Sequence, residues 1–132
     1  MNMDKRFLIW SLGFAVMGLS LGIYMAASNN HGELVTHAHI LLIGFLLSFV
    51  YSLIHRLWLV NPARGIATIQ FVVHQAAAAT LAVSLFLLFA GVLPLARLEP
   101  ILGLASISVL FSMVLMIYMI IRFGTGKPAE AG

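Results

Sequence analysis

Cysteine is missing from this chain of 132 residues. Its absence excludes disulfides, thiolate-held metals, iron–sulfur clusters and covalent haem attachment through C-x-x-C-H. Any haem must be held without covalent bonds, by His or Met. Charge is nearly as scarce, at 8% of residues against about 25% in a soluble domain. Hydrophobic residues make up 62% and mean hydropathy is +1.08, so lipid is expected to solvate most of the surface. Too little polar sequence remains for a separate soluble domain, and residues 1–132 read as one integral membrane domain. The net charge is +3, but the seven Lys and Arg sit in short loops and ends. They read as topology signals rather than as a nucleic-acid surface.

A membrane-spanning helix needs about 20 mostly apolar residues. Four segments qualify, near Phe7–Ala27, Val35–Leu59, Gly65–Leu93 and Ile101–Ile121. The first follows a basic start, Met1 to Arg6, yet exceeds the ~7–15 apolar residues of a signal peptide, so a retained span is expected. The polar stretch from Ser28 to Glu33 and the turn Asn61-Pro62-Ala63-Arg64-Gly65 separate the first three spans. Pro94 and Pro100 bracket a short expected connection that contains Arg97 and Glu99, and the tail from Gly124 is polar. Helix is the expected state throughout, because backbone groups in lipid must be satisfied locally and no period-2 barrel pattern occurs. The expected fold is therefore an all-α four-helix transmembrane bundle. Lys5, Arg6, Arg56, Arg64, Arg122 and Lys127 fall on one side and only Arg97 on the other. By the positive-inside rule both termini are expected in the cytoplasm.

Against this background His37-Ala38-His39 stands out, a few residues inside the second span. Ionisable side chains at membrane depth are costly and mark function by default. At 1.5 Å per residue the pair lies roughly 5–10 Å below the outer edge. Two residues apart on a helix means about 200° around the axis, so the two imidazoles point to nearly opposite sides. Helical steps from His37 reach Gly44, Ser48, Tyr51 and His55, a small and polar stripe. Steps from His39 reach Ile43, Leu46, Val50 and Leu53, all apolar. A single metal is hard to hold with both rings. Either each imidazole serves a separate cofactor, or one ligates and the other packs. His74 falls near the middle of the third span, one turn after Gln70 and beside Gln75. It is either a further metal or haem ligand or a histidine hydrogen-bonded between helices. His55 reads as interfacial and His31 as a solvated loop residue.

Gly18 and Gly22 form a G-x-x-x-G pair, and Ala76–Ala79 a second small-residue patch, both suited to close helix contact. Met113, Met116 and Met119 recur at a spacing of three. Such a ladder suits either core packing or a copper relay.

The stretch from Thr36 to Gly44 resembles the H-A-H-x-x-L-x-G signature of small four-span membrane haem proteins related to subunit I of haem–copper oxidases. Gly22-Ile-Tyr-Met-Ala, the Tyr51–Arg56 segment and Phe71-Val-Val-His74 are similar to the flanking parts of that pattern. Gln70 stands where such relatives often carry another His, and the copper ligands with their Tyr partner are not fully reproduced. The resemblance therefore does not imply oxygen reduction. It does imply non-covalent haem b with His37, His39 and His74 as candidate cofactor and metal ligands. It also implies a bacterial cytoplasmic membrane and an assembly in which three copies rebuild a twelve-helix plan. In such a homotrimer His37 of one subunit and His39 of its neighbour clamp one haem; a dimer sharing a haem is the alternative. Bis-imidazole ligation favours electron transfer to a redox partner over ligand binding. A five-coordinate iron facing His74 points instead to a gas-binding or reductase role. The rival classes are a copper- or haem-handling protein and a structural subunit of a membrane complex. Arg97 is either a propionate partner or a plain interfacial charge.

Overall fold

The computed structural model describes residues 1–125. Lys127 and the rest of the tail beyond 125 lie outside the described residues. Four helices are long and apolar enough to cross a membrane: α1, Met3–Ser28; α2, Leu34–Leu57; α3, Arg64–Phe89; and α4, Leu95–Phe123. Among the described residues the only extended pairing is one antiparallel bridge, Leu59 to Gly124, beside the hydrogen bond from Val60 N–H to the Phe123 carbonyl.

The helix ends follow local chemistry. α1 stops at Asn29, whose φ of 53° is the left-handed conformation common just past helix ends. Asn61 adopts φ 44° in the turn before Pro62, and Gly91 at φ 71° follows the end of α3. The expected connection from Pro94 to Pro100 is instead mostly helical. Pro94 caps α4 and Pro100 lies inside it. A proline this near a helix start forfeits one ladder bond at the wet end of the span, where water can satisfy the freed carbonyl. Arg97 and Glu99 therefore ride on the first turns of α4 rather than on a loop.

α2 is not uniform. It runs as α-helix over Leu34–His39, as π-helix over Ile40–Leu47 and as α-helix again over Ser48–Leu57. A π segment closes i→i+5 bonds and recurs at functional sites. From Thr36 through Ile40, Gly44 and Ser48 to Ser52 the buried positions of α2 recur every four residues, with Tyr51 buried beside the last of them. Gly44, inside the π segment, lies under the Phe14 ring of α1; a Cβ there would sit 2.5 Å from it.

Two core clusters fill the bundle. One joins Phe7, Tyr51, Leu59, Ala67, Met116 and Met119; the other joins Phe14, Ile40, Ala78 and Ala82. Met3 and Phe123 pack on the first, so both described ends lie at the same end of the bundle. Lys5, Arg6, Arg56, Arg64 and Arg122 share that end, called here the basic end. α3 is the most enclosed helix: 44% of its apolar window is buried, against 22% for α1 and for α4. It carries the buried amides and imidazole, whereas α1 and α4 present Ile23, Val16, Leu104 and Ile121 outward.

Candidate functional site

The two small-residue patches of the sequence serve contacts within the chain. Gly18 lies under Leu41 and Gly22 under the His37 ring. A Cβ at Gly22 would stand 2.9 Å from His37 Cε1, so only glycine lets the imidazole rest against α1. In the second patch Ala77 and Ala78 are buried, and Ala77 and Ala105 both line a cavity shared by α3 and α4.

His37 Nδ1 lies 2.8 Å from the Gly18 carbonyl oxygen. A carbonyl only accepts, so in the neutral ring Nδ1 donates and Nε2 keeps its lone pair. His39 repeats the arrangement, with Nδ1 2.8 Å from the Val35 carbonyl one turn back. Neither Nε2 has a hydrogen-bond partner among the described residues, and both side chains are half-buried. Metal-ligating histidines are characteristically set this way, one ring N–H tied to a backbone carbonyl or carboxylate and the other nitrogen free.

Both residues lie in the regular α portion of α2, so the divergence of about 200° applies. His37 faces α1. His39 heads an outward stripe of Leu42, Leu46, Val50, Leu53 and Leu57, all exposed. Leu42 takes the place expected for Ile43, because π winding turns Ile43 inward. Below His37, toward the basic end, a groove of about 380 Å³ runs between Ala15 and Leu19 of α1 and Leu41, Leu42, Phe45 and Leu46 of α2. The site is thus two free nitrogens on opposite sides of one helix, bordered by apolar surface.

His74 is placed quite differently. It is fully buried, with Nε2 3.2 Å from the Ile43 carbonyl and 3.1 Å from Ser48 Oγ. Ser112 Oγ of α4 lies 3.3 Å from Nδ1. Nε2–H therefore donates toward α2, and Nδ1 accepts from the Ser112 hydroxyl. Gln75 Nε2 donates to the same Ser48 Oγ at 3.2 Å, and the Tyr51 ring meets His74 edge-on at 4.9 Å. The Ile43 carbonyl lies in the π segment, so this contact joins α3 to that part of α2. One imidazole thus ties α2, α3 and α4 together, with both nitrogens engaged inside the chain.

The structure does not bring His37, His39 and His74 together. Among the described residues no three His, Cys, Asp or Glu side chains form a metal-holding group. The methionine ladder is part of the packing: Met116 and Met119 are buried in the core, and Met113 Sδ accepts from Tyr51 O–H at 3.5 Å. His55 stacks on Phe7 with ring centroids 5.5 Å apart. Its Nε2 is buried beside Gln70 but outside hydrogen-bonding geometry, and neither amide atom of Gln70 is partnered. His31 and Arg97 are exposed.

Three groups escaped the sequence reading. Ser112, a lone serine in an apolar helix, gives no periodic signal, and Ser48, legible as part of the His37 stripe, carried no sign that it would meet His74 and Gln75. Glu33, expected in a polar loop, is buried and accepts the Thr36 hydroxyl at 2.6 Å on Oε2, leaving Oε1 without a partner. Its place one turn before His37 was the available clue. No protein-family model, curated protein or solved structure matches the chain.

Proposed function

We propose that this chain is an integral membrane haem-b protein of electron transfer, with His37 and His39 as the axial ligands. One observation carries the reading: both imidazoles are fixed through Nδ1 to backbone carbonyls and hold an unshared pair on Nε2. The residues fit the group in three further respects. Gly22 lets the His37 ring seat against α1, the groove below it is apolar, and the surface beyond His39 is a leucine-rich stripe. Bound there, haem supplies a one-electron iron couple. The chain's own part is to orient two imidazoles, keep their tautomers fixed and exclude water with leucine side chains.

Because the two rings diverge on one helix, the ligands of one haem come from different subunits. A homotrimer with His37 of one copy facing His39 of the next satisfies this, in keeping with the resemblance to haem–copper oxidase subunit I; a shared-haem dimer is the simpler variant. The five described basic residues gathered at one end support that end as cytoplasmic, in the inner membrane of a bacterium. His74 is left out of the ligand set, since its nitrogens already serve Ile43, Ser48 and Ser112.

A reduced-minus-oxidised spectrum of the purified protein tests the proposal. Sharp low-spin b-type bands are expected. A colourless preparation containing copper points to metal handling, and a colourless, metal-free one to a structural subunit. Co-assembly of His37→Ala with His39→Ala chains should restore haem at some interfaces; no restoration places the site within one chain.

A further inference from the structure

The basic end of the bundle holds a second site, unrelated to the histidine pair. A cavity of about 620 Å³ opens there, and Arg6, Arg56 and Arg64 line it together with Asp4, His55, Asn61 and Thr68. Five basic residues are described at this end, and three of them converge on this one cavity; Lys5 and Arg122 do not line it. Topology alone asks for positive charge on this side of the membrane but not for its gathering round a hollow. Three guanidiniums face one carboxylate, and that carboxylate is only loosely held by Arg56, at 3.8 Å.

Two helix starts add to the same field. α1 begins at Met3 after Asn2, and α3 begins at Arg64 after Ala63; neither makes a side-chain cap. Asn2 and Met3 line the cavity with Arg64. Uncapped helix N-termini present free N–H groups and a positive dipole end, which together favour phosphate-type anions. Guanidinium adds paired N–H donors that match phosphate oxygens. Of the lining residues, His55 keeps its Nε2 unpartnered.

We propose that this cavity binds the phosphate of an anionic lipid headgroup. Its position at the end of three membrane helices puts it level with the headgroups, and basic pockets between helices on that side suit such lipids. A soluble phosphate ester offers the same chemistry, and the experiment separates the two sources.

The test uses the full-length protein in a non-ionic detergent and counts bound lipid by native mass spectrometry. Phosphatidylglycerol should be retained in preference to phosphatidylcholine. Arg64→Gln removes an exposed side chain at a helix start and should weaken retention by about fivefold; Arg6→Gln with Arg64→Gln should weaken it further. Arg122→Gln, outside the cavity, should leave it unchanged. Thermal unfolding of each variant without lipid shows that the fold is intact. Displacement of the lipid by millimolar glycerol 3-phosphate supports the phosphate site and assigns it to a soluble ester. Equal retention of the two lipids, or an equal loss in Arg122→Gln, overturns the proposal.

Discussion

Two histidine sites on the same bundle show opposite designs. At the middle, His74 is fully buried, and its two nitrogens reach a carbonyl and two hydroxyls on two other helices. Toward the other end, His37 and His39 are half-buried, and each commits one nitrogen to a backbone carbonyl and leaves the other free. Both arrangements overcome the cost of placing imidazole in an apolar setting. Only the second leaves valence for something outside the chain. The lesson is that a membrane histidine is judged by how many of its nitrogens the protein itself consumes.

The sharpest way to break this comparison is to remove the central ring. His74→Ala takes a hydrogen-bond partner from Ser48, Ser112 and the Ile43 carbonyl and opens a cavity where three helices meet. A loss of about 3 kcal/mol is expected, read as a lowered midpoint in thermal or denaturant unfolding. Stability within about 0.5 kcal/mol of the parent denies His74 its structural role. Next in size is Gly44→Ala, whose Cβ would meet the Phe14 ring at 2.5 Å. Overpacking of this kind costs about 1–3 kcal/mol and should loosen the contact of the π segment with α1; unchanged unfolding argues against that contact. Smallest in stability, but most informative about the outer site, is Gly22→Ala. Its methyl displaces the His37 ring, so unfolding should shift by no more than about 1 kcal/mol while the haem spectrum changes. An unchanged spectrum separates the cofactor from His37.

Much of the bundle was legible because lipid imposes simple rules. Four apolar runs of sufficient length became four helices, with starts and stops near Asn29, Pro62 and Gly91. Pro100 misled, since a proline close to a helix start reads as a boundary in sequence yet is tolerated where water can replace one bond. The π segment over Ile40–Leu47 was invisible, because its apolar residues fit α and π winding alike. Within it Ile43 turned inward and Leu42 joined the exposed stripe, while Leu46, Val50 and Leu53 stayed on the outward face that the continuous helix predicts. The divergence of His37 and His39 survived because both precede the π segment. The partners of Gly18 and Gly22 were illegible for another reason: a close-packing glycine carries no label for the helix it meets. The burial of Glu33 was equally hidden, since it depends on how the loop before α2 folds back.

Haem content measured across three single substitutions, His37→Ala, His39→Ala and His74→Ala, tests the central claim most directly. At a temperature where all three remain folded, the first two should lose or alter the low-spin b-type bands while the third keeps them. Wild-type bands in both outer variants contradict the account.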